Sequence, residues 1–207
     1  MKKIIIVGAG GFGREAYYLI KDINKVSPTW ELLGFLDDKV KSLADKKIGA
    51  PILASVDAWL PSEEEFFVLG IASPKAKEAV ANKLREKGAR FATLVSPQAI
   101  VNETATLGEG CVVTSFSSIG DCCEIGDFVH VAGSTIGQDV VVGDYTTTTA
   151  YVNIPNVKVG KRCFIGSHSV ILGNLEDDAE VCAGSIVFKK VKQGQTVLGY
   201  PAKKIEF

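Results

Sequence analysis

Apolar positions along the chain follow two different rhythms, and the change falls near residue 95. Before it, short apolar runs at Lys3–Val7, Glu31–Leu36, Phe66–Gly70 and Phe91–Val95 predict strands. Between them, Glu15–Ile23 and Lys75–Lys87 carry the spacing of amphipathic helices. Alternating strand and helix is the pattern of a small parallel α/β unit.

After it, the helical period disappears and aliphatic residues recur every six positions. Val101, Leu107, Val113, Ile119, Ile125 and Val131 keep one phase. The phase slips and resumes at Ile136, Val142, Thr148 and Ile154, then at Val159, Ile165 and Ile171, then at Leu175, Val181 and Val187. Fifteen of these sixteen positions are Ile, Leu or Val, so chance is a poor explanation. Six residues make one short strand and a turn, and three such units make a triangular coil with the aliphatic side chain inside. Glycine often comes next, at Gly108, Gly120, Gly126, Gly137, Gly143, Gly160 and Gly166, and reads as the residue that lets the chain turn. The fold expected is α/β plus all-β: a Rossmann-like domain over residues 1–95, then a parallel β-helix over residues 96–207.

Composition narrows the function. With 207 residues, 46% hydrophobic and 23% charged, the chain can bury a core. A formal charge of -1 gives no global electrostatic case for nucleic acid or an anionic membrane. No apolar run approaches the roughly 18–20 residues of a membrane span. Ile4–Val7 is too short for a signal-peptide core, and Arg14 and Glu15 follow soon after. Five cysteines in that setting read as reduced thiols of a cytoplasmic protein. With two histidines and no Cys-x-x-Cys pair, no metal site is expected.

Gly8-x-Gly10-x-x-Gly13 follows a strand and opens a helix, so backbone N–H groups would face an anion. Asp37 lies 24 residues past Gly13, near the place of a ribose-binding acid, which leaves a nicotinamide-dependent oxidoreductase open. Yet about 95 residues are too few for two mononucleotide-binding halves and a substrate domain. The bland alternative is that the glycines only tighten a turn.

Several segments carry a resemblance that spans nearly the whole chain. They are Val7-Gly8-Ala9-Gly10-Gly11-Phe12-Gly13, Gly34-Phe35-Leu36-Asp37-Asp38, Gly126-Asp127-Phe128-Val129-His130, Asn156-Val157-Lys158-Val159-Gly160 and Gly199-Tyr200-Pro201-Ala202-Lys203. Together they resemble the sialic-acid O-acetyltransferase and nucleotide-amino-sugar N-acetyltransferase family of hexapeptide-repeat acyltransferases. The resemblance implies a left-handed β-helix, a homotrimer with sites between neighbours, acetyl-CoA as acyl donor and a nucleotide-linked sugar as acceptor. It places sugar-nucleotide contacts on Gly10, Gly11, Phe12, Asp37, Asp38 and Ala72, where the family often has histidine at Phe12 and usually glycine at Ala72. Coenzyme A contacts fall on Thr147 (usually histidine), Ser167, Ala183 and Gly184, with Lys189, Lys190, Lys192, Lys203 and Lys204 suited to its phosphates.

The family's base is a histidine followed by an acid, shortly before an Ile-Gly-Asp-Phe-like turn. Two stretches fit that pattern. In Gly137-Gln138-Asp139 the histidine's place is taken by Gln138 and the acid is Asp139; in Gly120-Asp121-Cys122 the place is taken by Asp121. The first is preferred for its distance to Asn156-Val157-Lys158-Val159-Gly160. An amide is no base near neutral pH, so a substitute base, a slow enzyme and a binding protein without catalysis all stay open. Three residues are candidate substitutes: His130, otherwise a surface residue on a coil, His168, one coil beyond Gln138, and Asp139 if burial raises its basicity.

Overall fold

A computed structural model describes residues 1–39 and 43–205, in two compact units, Met1–Pro97 and Gln98–Phe207. In the first, β1 (Lys2–Val7), α1 (Gly11–Val26), β2 (Trp30–Leu36), β3 (Ile52–Ala54), β4 (Glu65–Leu69), α2 (Pro74–Glu86) and β5 (Arg90–Phe91) follow in order. The sheet is parallel, ordered β3-β2-β1-β4-β5. Its centre is β1, whose Ile4, Ile5, Ile6 and Val7 have no accessible surface, as strands covered on both faces require. In α1, Gly13, Ala16, Tyr17 and Ile20 recur at helical spacing and are buried. At the start of α2, Pro74 occupies the first turn and the Ser73 hydroxyl accepts from the Ala76 N–H at 3.5 Å. The sequence pattern missed β3, three half-buried residues too short for a readable period.

The second unit is a left-handed parallel β-helix of two-residue strands stacked coil on coil. The sixteen periodic residues form three internal columns. One joins Val101, Ile119, Ile136 and Ile154, with Ile171 and Val187 beyond. The next runs through Leu107, Ile125, Val142, Val159 and Leu175. The third is Val113, Val131, Thr148, Ile165 and Val181. Thus the phase slips cost no register: they are shortened corners, and each column continues through them.

The turning device differs from the one expected. Glycines such as Gly120 and Gly143 do not sit at the left-handed corner. They lie against the next coil, where an added Cβ would stand 2.7 Å from the Gly137 carbonyl oxygen and 2.6 Å from the Gly160 carbonyl carbon. Their role is close stacking. The turn comes two residues later, at Phe116, Cys122, Phe128, Asp139, Tyr145, Tyr151 and His168, whose φ values run from 53° to 63°. A third set of inward residues is small and donates to carbonyls of neighbouring coils. Cys111 Sγ reaches Gly126 at 3.0 Å, Ser117 Oγ reaches Val131 at 3.0 Å and Thr146 Oγ1 reaches Gly160 at 2.9 Å. Thr148, the one polar residue in an aliphatic column, is fully buried with Oγ1 3.3 Å from the His130 carbonyl and 3.2 Å from Ser134 Oγ.

Candidate functional site

In the first unit, the residues picked out by sequence gather at the C-terminal edge of the sheet. Chain direction makes this happen: β1, β2 and β4 are parallel, so the loops after them share one edge. The Gly8–Gly13 loop follows β1, Asp37 and Asp38 follow β2, and Ala72 follows β4. Helices α1 and α2 follow the loops after β1 and β4, and the C-terminal edge of the strands is where open parallel sheets take ligands. Gly10 is the N-cap of α1 and no side chain caps that end. Neither Gly10 nor Gly11 has an atom within 4 Å of where a Cβ would lie, so their backbone is open to a ligand. Gly13 is different. A Cβ there would collide with the Gly8 carbonyl oxygen, so this glycine lets helix meet strand.

Asp37 braces the loop: Oδ2 accepts from the Ala9 N–H at 2.7 Å and Oδ1 from the Lys39 N–H at 2.7 Å. Asp38 Oδ1 accepts from the Val56 N–H at 3.2 Å and the residue is otherwise exposed. Phe12 and Ala72 are half-buried. The six expected sugar-nucleotide contacts thus share one edge.

In the β-helix, Gln138 and Asp139 form an exposed corner, Asp139 in the left-handed region at φ 55°. The Asp139 N–H donates to the Asp121 carbonyl at 3.1 Å, so the two stretches that fit the family's catalytic pattern are neighbours on one edge of the prism. Neither carries an imidazole. Ser167, Ala183 and Gly184 lie together on a different edge: Ser167 Oγ donates to Thr149 Oγ1 at 3.0 Å, and the Gly184 N–H donates to the Ser167 carbonyl at 2.8 Å.

Thr147 is fully buried, paired across neighbouring coils with His130. Two expectations need correction. His130, weighed as a surface histidine, is 2% accessible. His168 does not extend the Gln138 edge. It sits on the Ser167 edge, exposed, its ring stacked on Tyr151 at 4.9 Å and 24°. No sequence pattern announced that stack, which arises because side chains at equivalent left-handed corners lie one coil apart.

Three of the cysteines, Cys111, Cys123 and Cys163, are framework. Burial pushes the Cys163 thiol up to about 11, which removes it as a nucleophile or base near neutral pH. Cys111 and Cys123 are likewise buried, and Cys122 is exposed. Along a further edge, Asp127, Asp144 and Asp177 each accept a backbone N–H of the preceding coil, from Glu109, Asp127 and Lys161 at 2.9, 3.0 and 2.9 Å. Lys161 lies 2.8 Å from Asp144, and that hydrogen bond holds its ammonium above the usual lysine range.

A parallel α/β unit with an open glycine loop, followed by a hexapeptide β-helix, is the two-domain architecture the sequence pattern leads one to expect. Comparison with known proteins carries this further. Residues 3–84 match the family described as the PglD N-terminal domain. Over 97% of the chain and 95% of the relative, the sequence is 28% identical to GDP-perosamine N-acetyltransferase of Escherichia coli O157:H7. It is 29% identical to UDP-N-acetylbacillosamine N-acetyltransferase of Bacillus subtilis (strain 168), over 55% of this chain and 51% of that one. The fold matches the acetyltransferase domain of PglB from Neisseria gonorrhoeae FA1090 in complex with acetyl coenzyme A, with a TM-score of 0.87 at 20% identity, over 99% of both chains. The chain is thus similar to nucleotide-amino-sugar N-acetyltransferases over both of its units.

No described helix is long and apolar enough to cross a membrane.

Proposed function

We propose that this protein transfers an acetyl group from acetyl-CoA to the amino group of a nucleotide-linked sugar. The observation that carries the reading is similarity over almost the entire chain to an N-acetyltransferase acting on a nucleotide amino sugar, joined to an open glycine turn at the ligand edge of the sheet. The nucleotide lies along Gly10, Gly11 and Phe12, with Asp37, Asp38 and Ala72 bordering it. Gln138 and Asp139 mark the catalytic edge, and Ser167, Ala183 and Gly184 mark the donor edge.

Because those two edges are different edges of one prism, a single chain does not bring them together. A site between neighbouring copies does, with one copy's Gln138 edge facing the next copy's Ser167 edge, and the assembly proposed is a homotrimer. The setting proposed is the cytoplasm, in keeping with five cysteines that are all thiols.

In the reaction, the amine nitrogen attacks the thioester carbonyl and the C–N bond forms. The C–S bond then breaks, sulfur leaves as thiolate, and the proton lost by nitrogen ends on that thiolate. Gln138 cannot carry the proton; its Oε1 accepts a hydrogen bond from the amine and orients the lone pair. General-base catalysis is worth about 10²–10⁴-fold, or about 3–5 kcal/mol of barrier, so the chain is slow for its class. A second reading, a binding protein that keeps both pockets, is favoured by the same Gln138.

Thiol release from acetyl-CoA in the presence of GDP- and UDP-linked amino sugars tests both. Slow acceptor-dependent release, raised about 10²–10⁴-fold by Gln138→His, supports the enzyme. Release by Gln138→His alone supports the binding protein. No release by either, together with no calorimetric affinity for acetyl-CoA, sinks both.

A further inference from the structure

Between β3 and β4 the chain crosses from one parallel strand to another without a helix. Such crossovers are usually helical, and a helix bonds its own backbone groups to one another. Residues 55–64 form turns and irregular chain, so their carbonyls need donors from elsewhere. One side chain supplies them. Lys87, at the C-terminal end of α2, directs Nζ to the carbonyls of Val56, Asp57 and Trp59 at 3.3, 2.6 and 3.2 Å. An ammonium has three N–H donors and no acceptor, so this cradle uses all of it. Lys83, one turn earlier, adds an ion pair with Asp57, and Trp59 Nε1 donates to Glu65 at 3.2 Å.

Val56 is gripped at both ends. Its carbonyl accepts from Lys87, and its N–H donates to Asp38 Oδ1 at 3.2 Å. Ala9 repeats the arrangement: its N–H donates to Asp37 Oδ2 at 2.7 Å, and its carbonyl accepts from Arg14 at 3.2 Å. Each acid of the Asp37-Asp38 pair is thus aimed by a residue whose carbonyl a cation holds. The two acids differ in what is left over. Asp37 has both oxygens on backbone N–H groups, those of Ala9 and Lys39. Asp38 commits Oδ1 alone among the described residues. The cations differ too, since Arg14 lies on the glycine turn whereas Lys87 belongs to the end of α2 away from the ligand edge.

We infer that Lys87 is a positioning residue for the acceptor's nucleotide: through Val56 it fixes the Asp38 carboxylate and leaves Oδ2 to accept from the nucleoside. The inference rests on the nucleotide-sugar reading above, which borders the nucleotide with Asp38, and it adds a residue outside that border. A carboxylate aimed in advance accepts a hydrogen bond without losing side-chain freedom on binding. Without the ammonium, the crossover carbonyls lose their donor, the segment moves, and the Val56 N–H no longer holds Asp38 in place.

A double-mutant cycle tests this, read by calorimetric titration of the full chain with UDP and with GDP. Lys87→Met keeps the stem and removes the donors; Asp38→Asn removes the carboxylate. For the nucleotide that binds, the expected affinity is about fivefold weaker in Lys87→Met and about tenfold weaker in Asp38→Asn. The double variant should match Asp38→Asn, because Lys87 has nothing left to aim. A merely structural lysine would cost the same in either background. A loss in the double variant equal to the product of the single losses, about fiftyfold, therefore overturns the inference. So does an unaltered affinity in Lys87→Met. Lys87→Gln, with two donors on a shorter stem, replaces Lys87→Met if that variant does not fold, and the same outcomes decide. If neither nucleotide binds the unmodified protein, or Asp38→Asn binds it unchanged, the nucleotide reading itself fails and this inference falls with it.

Discussion

Cys163 shows how burial at one position sets a pH dependence. Its thiol sits inside the prism with Sγ 3.3 Å from the Glu176 carbonyl, and desolvation raises it from 9.0 to about 11. A native pKa above the unfolded one means the contribution is complete below pH 9 and is lost as pH rises towards 11, as the unfolded chain ionises first. Urea unfolding from pH 8 to 11 should show this alkaline loss reduced in Cys163→Ser, because Ser117 and Ser169 already fill equivalent inward positions. An identical pH slope in the two proteins would assign the loss elsewhere. Glycine offers a second residue-scale contrast. At Gly143 an added methyl meets backbone of the next coil at 2.6 Å, whereas at Gly11 it meets nothing. Gly143→Ala should lower stability by about 1–3 kcal/mol. Gly11→Ala, in the first turn of a helix, should leave it level or raise it by up to about 1 kcal/mol. Equal midpoints in thermal melts would refute the stacking role of Gly143.

At the scale of the element, the β-helix tolerates length changes in one place only. Val131 to Ile136 is five residues where the repeat is six, yet both remain paired in their columns. The corner took up the missing residue. One residue inserted between Gly133 and Ser134 should therefore cost little, while one between Thr135 and Ile136 should unfold the coil, because it turns an inward side chain outward. Circular dichroism melts of the two insertions decide the point, and equal losses would show that corners are not the adjustable part. The hexapeptide period was legible because each strand is so short that one inward aliphatic defines it. Helices α1 and α2 were legible from their apolar spacing. Strand β3 was not, since Ile52–Ala54 is half-buried and its place is fixed by pairing with β2.

For the whole molecule, the separation of the Gln138 edge from the Ser167 edge makes a prediction about assembly. If each site is shared between copies, mixing Gln138→Ala with Gly184→Asn subunits and reassembling them should restore part of the activity, since some sites then receive two intact edges. Sedimentation should give three times the chain mass of 22.1 kDa. A fully active monomer would refute the shared site.

The sequence alone determined the two-domain order and the β-helix with its inward residues. These follow from local periodicity, which is written in residue spacing. Only the tertiary structure decided that Thr147 and His130 are buried, that His168 stands on the Ser167 edge stacked upon Tyr151, and that the glycines after the aliphatics serve stacking and not turning. Those outcomes depend on which residues of different coils come level with one another. Corner lengths set that alignment, and a repeat read along the chain cannot count it across coils.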